Sequence, residues 1–352
     1  MLSQKSKNFQ ELILNSRAHK ECNLPFVLYQ KPNEKLVKGI FSLNSSINYT
    51  SSFSEEGFVF SPFDDDKAIL LTSDETSEVP YERKETRQRT TIIPFEENKT
   101  EHLQLVNKAI ATIKKGVLKK VVVSRKIEVE TKKNEFVLFQ DLLDTYPNAL
   151  KYLWFHPKVG MWIGATPETL LKIEKESFNT TSLAGTLPVV ESESPVWTKK
   201  EIEEQQLVTD YILAKVSKKL IDVKTTPATT IKAGKLWHLK STITGALKKE
   251  IGLDEIIKTI HPTPAICGVP KEASKKFLLT NEGYDREFYT GFLGEINLGS
   301  VSQSHLFVNL RCMKLMDKKA TIFIGGGITK ESDAEKEWNE TQHKSKTMLN
   351  LL

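Results

Sequence analysis

Two pairs of glutamates stand three residues apart: Glu201 with Glu204, and Glu337 with Glu340. Each pair lies in a stretch with helical periodicity, "TKKEIEEQQLVTDYILAKVSKKLI" and "EKEWNETQHKSKTML". Residues at that spacing share a helix face, so each pair points two carboxylates one way. Two such faces meeting would offer more carboxylates than Mg²⁺ needs, since that ion takes one or two and completes its shell with water and substrate oxygens. Capping is the alternative. Thr198-x-x-Glu201 and Ser332-x-x-Glu335 both read as capping boxes, and acidic first turns suit the helix dipole. Trp338, beside the second pair, argues that this turn is not fully exposed.

Cations frame these carboxylates. Lys344 follows Glu340 by four residues, on the same stripe. In "KKVVVSRK" strand alternation puts Lys120, Val122 and Ser124 on one face and Val121, Val123 and Arg125 on the other. A lysine leading into a buried strand either loses hydration and serves as a neutral base, or snorkels from the strand end. In "HLFVNLRCMKLM" a single strand would put Phe307, Asn309 and Arg311 on one face. A buried arginine needs a partner, either a carboxylate of the protein or one of a ligand. Gly325, Gly326 and Gly327 run toward the second acidic helix and would present backbone N–H groups to an anion. His238, between Trp237 and Leu239, reads as a core or hydrogen-bonded histidine; His261, before Pro262, fits either a core or a site. Together these residues describe a Mg²⁺-dependent enzyme acting on a small polyanionic substrate.

Such residues need a scaffold of mixed elements. The chain has 352 residues, enough for one large domain or two ordinary ones. From Glu101 onward the pattern is sharp. A helix carries Leu103, Val106, Ile110 and Ile113 on one face and stops at Gly116. Asn134 is the candidate N-cap of the next helix, and Pro270 opens a later one. The last strands follow one another through short polar turns, so at least part of the sheet is antiparallel. No glycine-rich strand-to-helix turn with an acidic partner appears, which disfavours a dinucleotide-binding fold. Residues 1–98 are less readable. Strands show in "CNLPFVLYQKP" and "KAILLTS", while "SLNSSINYTSSFSEEG" and "SDETSEVPYERKETRQRTT" look like loops. We expect 1–98 to be a strand-rich portion packed into the same unit as a catalytic core at 99–352.

Composition excludes several classes. No apolar run approaches the ~20 residues of a membrane span, and the N-terminus lacks a signal-peptide layout. Cys22, Cys267 and Cys312 are too scattered for a disulfide framework or a zinc site, which points to a reducing cytoplasm. The net charge of +5 is modest, and the densest basic stretch, Lys114 to Lys126, alternates with valines. That is not a nucleic-acid surface.

The stretches "KVVVSRK", "GATPETLLK", "SLAGT", "KEIEEQQLV", "LWHLKSTITG", "HPTPAICGVP", "DREFYTGFLGEIN", "LFVNLRCMKL", "IFIGGGI" and "EWNETQHKSKTML" resemble, in order and spacing, those of the chorismate-utilising enzymes. That family includes anthranilate, aminodeoxychorismate, salicylate and isochorismate synthases. The resemblance implies an α/β (α+β-like) domain with large mixed or antiparallel sheets flanking a helical interior. It implies chorismate as substrate and Mg²⁺ as cofactor. By resemblance, Glu204 and Glu340 match the direct metal ligands, and Glu201 and Glu337 an outer pair acting through water. Arg311 and the backbone at Gly325, Gly326 and Gly327 match the groups holding the enolpyruvyl carboxylate, with Lys344 turned toward a substrate carboxylate. Gly185 and Thr186 match the lining of the metal-bound end, and His238 the ring pocket. Lys120 matches the lysine that activates water, and Glu168 the acid that protonates the departing C4 hydroxyl.

Few residues set the subtype. Ammonia-using members typically carry glutamine where Lys120 stands, and aminodeoxychorismate synthases often a nucleophilic lysine where this chain has Ala184. "HPTPAICG" resembles isochorismate synthases. Gln205 departs from the histidine of many relatives, which should retune the neighbouring ligand without removing the metal. The implied activity is that of an isochorismate synthase serving menaquinone or siderophore synthesis. Salicylate synthase and a non-catalytic chorismate-binding protein are the alternatives. No glutamine amidotransferase subunit, nucleic acid or membrane partner is expected, and the chain should be a monomer or weak homo-oligomer.

Overall fold

The structure, a computed structural model, describes residues 6–84, 96–189, 194–233, 236–299 and 303–352. In chain order its first strands are β1 (Phe26–Gln30), β2 (Leu36–Phe41), β3 (Asn48–Thr50), β4 (Gly57–Ser61), β5 (Ala68–Leu71), β6 (Glu75–Pro80), β7 (Lys120–Glu130), β8 (Leu150–His156), β9 (Gly160–Thr166) and β10 (Thr169–Glu174). They continue as β11 (Ser177–Pro188), β12 (Leu220–Thr225), β13 (Thr229–Ala233), β14 (Leu236–Leu247), β15 (Gly268–Val269), β16 (Phe292–Leu298), β17 (Gln303–Val308), β18 (Cys312–Met316) and β19 (Lys319–Ile328). The helices are α1 (Phe9–Glu21), α2 (Lys99–Lys114), α3 (Glu135–Thr145), α4 (Lys199–Val216), α5 (Leu253–Ile260), α6 (Lys271–Asn281) and α7 (Ala334–Leu349).

Among the described residues the strands form two antiparallel sheets. The first runs β15-β7-β19-β18-β9-β8-β1-β2-β6, and the second β12-β14-β11-β10-β17-β16-β4-β5-β3, with β13 beside β14. Alternation explains why they pack face to face. Tyr29, Trp154 and Trp162 of the first sheet meet Phe58, Phe60 and Phe307 of the second. The outer faces are covered by helices: α1, α3 and α7 on the first sheet, α4 and α5 on the second, α2 and α6 beside β7. The large antiparallel sheets are those expected from the sequence. Where a helical interior was expected, strand side chains fill the space between the sheets.

Several local expectations change. β1, β2 and β6 belong to the first sheet and β3, β4 and β5 to the second. β3 and β6 lie in the polar stretches that read as loops; the rest of the second stretch, from Glu85, lies outside the described residues. β6 hides its pattern because it is an edge strand, burying only Ser77 and Val79 and ending at Pro80. α1 also escapes the sequence reading. It is polar, with few fully buried residues such as Leu12, and is capped by Asn8. The long helix expected through Ile221 ends at Val216, and its tail is β12. Asn134 caps α3 as expected, and Gly116, at φ 77°, follows α2.

Candidate active site

The site sits at the seam where the β7–β19 end of the first sheet faces β10, β11 and β14 of the second. β19 pairs with β7 through Gly325↔Ser124, Gly326↔Val123 and Gly327↔Val122. The glycine triplet is therefore strand backbone, as the strand reading of "ATIFIGGGI" expects. α7 begins later, with Asp333 as N-cap accepting from Lys336 N, so the expected Ser332 capping box does not form. The glycines are needed for space. A Cβ at 327 would stand 2.4 Å from Glu204 Oε1, and one at 325 would stand 2.8 Å from Tyr289 Oη.

Arg311 arrives by a different route from the one expected. The single strand read from the sequence is two strands in different sheets, β17 and β18, and Arg311 lies at the crossing with φ 48°. A non-glycine residue in that left-handed region is unusual and costs about 1–3 kcal/mol. The turn separates Arg311 from Phe307, which packs in the core, and places it in the pocket wall. Its guanidinium has only a long bond to Lys344 O, at 3.5 Å, and no ion pair among the described residues. Of the two partners left open by the sequence, no protein carboxylate takes the role here.

One pocket is lined by Glu168, Gly185, Thr186, Glu204, His238, Arg311, Gly325, Gly327 and Lys344. Lys120 reaches it through Glu204 and Glu340 through Lys344. Glu201, Glu337 and Gly326 are not in its lining. Glu168 is buried, with no ion pair among the described residues. Burial pushes its carboxyl up to about 7, against the opposing pull of Lys120, Arg311 and Lys344. Lys120 is buried while Lys119 is exposed, with its N–H donated to Val269 O at 2.7 Å. Alternation thus turns Lys120 inward. Its Nζ lies 2.9 Å from Glu204 Oε1, an ion pair without hydrogen-bond alignment. His238 Nδ1 is 2.9 Å from Gly185 O. A carbonyl only accepts, so Nδ1 carries the proton and Nε2 is a buried, unpartnered acceptor. Burial holds this imidazole neutral, with its pKa down at about 3.

Each of the four paired glutamates has a partner within the chain. Glu204 has Lys120 at 2.9 Å, Glu340 has Lys344 at 2.6 Å, and Glu337 has Lys200 at 2.6 Å. Glu201 accepts from the Thr198 N–H at 3.0 Å and from the Thr198 hydroxyl, so the capping expectation for this residue holds. Glu337 is pushed up to about 7 by burial and by Glu340 beside it. Among the described residues no three carboxylates, imidazoles or thiolates stand gathered as a ready chelate. The donor set still fits a hard divalent ion. It is all oxygen, and Glu337 Oε2 is buried without a hydrogen-bond partner.

Sequence reasoning missed Tyr289, Thr290, Arg286 and Lys200. Tyr289 and Thr290 line the pocket. Arg286 bonds Glu282 twice, at 2.7 and 2.6 Å, and donates to Val122 O, Ile266 O and Thr290 Oγ1. Those three acceptors belong to three pocket walls, so this buried fork fixes their spacing. Glu282 and Arg286 lie past the end of α6, where no helical spacing announces the pair. The signal for Lys200 was its place next to Glu201 on the acidic turn.

Comparison with known proteins agrees with this architecture. Residues 58–352 match the family model described as chorismate binding enzyme. Isochorismate synthase EntC of Escherichia coli K12 is 30% identical over 261 residues, 70% of this chain and 66% of that relative. The match thus spans just under two thirds of the relative's length. The crystal structure of DhbC from Bacillus anthracis aligns with a TM-score of 0.80 at 21% identity, covering 94% of this chain and 96% of that one. That of MenF, the menaquinone-specific isochorismate synthase from Escherichia coli, aligns at 0.78 and 20% identity, covering 93% and 88%. At those identities the two structures speak for the fold. No helix among the described residues is long and apolar enough to cross a membrane.

Proposed function

The chain belongs to the chorismate-binding enzymes, and from that premise we propose that it interconverts chorismate and isochorismate with Mg²⁺ as cofactor. The observation that carries this reading is the pairing of Lys120 and Glu168 at one pocket, an inward lysine with a buried carboxyl raised to about 7. Turning chorismate into isochorismate adds water at C2 and expels the C4 hydroxyl. One event needs a base and the other an acid. Glu168, half protonated near neutral pH, gives its proton to the departing hydroxyl. Lys120 takes the proton of the incoming water in its neutral amine form, becoming the ammonium that pairs with Glu204.

The remaining residues hold the substrate. Arg311 and Lys344 supply positive charge for its carboxylates, and the under-bonded Arg311 fork suits a planar carboxylate. His238 offers Nε2 to a ring hydroxyl. Glu204 and Glu340 would hold the Mg²⁺, with Glu201 and Glu337 behind them. When bound, the ion supplies Lewis-acid polarisation and a fixed counter-charge for a substrate carboxylate. The product serves menaquinone or siderophore synthesis. We place the enzyme in the cytoplasm, in keeping with three free cysteines, and with no amidotransferase subunit.

Incubation with chorismate and Mg²⁺, followed by product identification, tests this directly. Isochorismate as sole product is expected. Salicylate with pyruvate would make the protein a salicylate synthase, and absence of turnover would leave a chorismate-binding protein without chemistry. Either result overturns the proposal.

A further inference from the structure

We propose that Lys200 is a resident counter-ion of the glutamate seam, holding the acidic faces of α4 and α7 together without metal and giving way when a divalent cation enters. This rests on the reading of Glu204, Glu337 and Glu340 as a Mg²⁺ site.

The need for a counter-ion follows from the architecture. α4 packs on β11 and β14 of the second sheet, and α7 packs on β19 of the first. No strand pairing fixes one helix against the other. Their meeting faces carry acidic residues, and Glu337 is almost wholly buried. A buried carboxylate without a cation is strongly destabilising. Lys200, on α4, crosses the gap and places its Nζ 2.6 Å from Glu337 Oε1. Glu340 and Glu204 also lie close enough to favour its charged form. One ammonium therefore contacts Glu337 and lies within electrostatic range of Glu340 and Glu204.

Lys200 differs from the other two lysines of the seam. Lys344 lines the pocket, and Lys120 touches it through Glu204. Lys200 does neither, so no substrate group explains its position. Nor does it saturate its partner, since Glu337 Oε2 remains buried without a hydrogen-bond partner. A divalent ion brings two positive charges to the same carboxylates and makes the ammonium surplus. Metal and Lys200 then compete, and by linkage whatever stabilises the metal-free seam weakens metal binding.

The test is Lys200→Met, followed by thermal melting in EDTA and in Mg²⁺ and by calorimetric Mg²⁺ titration without substrate. The variant should melt below wild type in EDTA, and Mg²⁺ should close most of the gap. Its Mg²⁺ affinity should rise about tenfold, within the range of ordinary site–site coupling. Lys200→Arg, which keeps the charge, should follow wild type. Equal affinity and equal thermal gain in wild type and Lys200→Met would overturn the role of Lys200 while leaving the metal site standing. No Mg²⁺ effect on either protein would overturn the metal reading itself. Should Lys200→Met fail to fold, Lys200→Met/Glu337→Gln removes the stranded charge as well. The double variant is expected to fold and melt near Glu337→Gln alone; if it too fails to fold, Lys200 is a packing residue and the proposal falls.

Discussion

Glu168 lines the pocket and is buried, Glu340 is half-buried and reaches it through Lys344, and their protons are held very differently. Glu168, just before β10, has Lys120, Arg311 and Lys344 in range but none in contact, so burial prevails and its carboxyl rises to about 7. Glu340, on α7, suffers burial as its largest single influence too. Lys344 at 2.6 Å, with Lys200 and Arg311, outweighs it and holds the carboxyl below its usual range. Burial alone therefore does not assign a role. A cation in contact decides whether a buried glutamate is a standing anion or a proton donor. On the proposed reading the seam keeps charge for a metal and Glu168 keeps a proton for the departing hydroxyl.

Removing each side should fail in a different way, and the largest effect belongs to the proton carriers. Glu168→Ala and Lys120→Ala should each lower kcat by about 10²–10⁴-fold, the usual contribution of a general acid or base. Mg²⁺ binding by Glu168→Ala should be unchanged in direct titration. If that variant turns over at near wild-type rates, Glu168 is not the catalytic acid and the contrast collapses. If Lys119→Ala is instead the inactive lysine variant, the inward orientation of Lys120 is wrong.

Arg311 sharpens the contrast, because it should act on binding and not on the proton steps. Its guanidinium makes one long hydrogen bond and no ion pair among the described residues. Removing a charge-assisted bond to a ligand carboxylate costs roughly 1.5–3 kcal/mol, so Arg311→Ala should raise the chorismate KM by about 10–100-fold with kcat little changed. Equal losses in kcat and kcat/KM would place Arg311 on the transition state instead. Folding should survive, since no protein carboxylate is left stranded; a large drop in Tm with normal KM would restore the structural reading.

The sequence carried these residues unevenly, and physics says why. Strand alternation put Lys119 and Lys120 on opposite faces, but which face turns inward depends on register, so the choice of Lys120 came from the resemblance. Helical spacing alone grouped the glutamates into pairs. What it lacked was the distance between α4 and α7, which rest on different sheets. For the same reason the sequence could not choose capping or metal binding for Glu201. Arg311 was assigned to a strand because nothing local announces a left-handed crossing between sheets; only the tertiary path requires it. The glycine triplet was read for the N–H groups it could present to an anion, whereas its lack of side chains here serves the close approach of Glu204 and Tyr289. β6 and α1 were lost because polar edge elements bury too little to show a period.

The smallest predicted effect is the most diagnostic of the Glu168 side. Its raised carboxyl means that the acid form predominates below about pH 7 and is lost above it. A general acid works only while protonated, so kcat/KM for chorismate should fall as pH rises through about 7, by about tenfold per unit once well above it. Stability should share the sign. The folded state binds this proton more tightly than the unfolded chain, so its contribution declines as pH climbs from the ordinary glutamate range to about 7. Glu337, also raised to about 7, would add to the stability trend and oppose the activity trend, since a metal-facing carboxylate works ionised. Saturating Mg²⁺ separates them, because a metal-facing carboxylate then stays ionised across the range while Glu168 still titrates. The profile should therefore be recorded at saturating Mg²⁺ for wild type and Glu168→Gln. The glutamine variant should be slow and flat across pH 6–8, having an amide with no proton to lose there. A limb that persists unchanged in Glu168→Gln would assign the titrating acid to another group, and Glu168 would join Glu340 as a carboxylate whose role is charge.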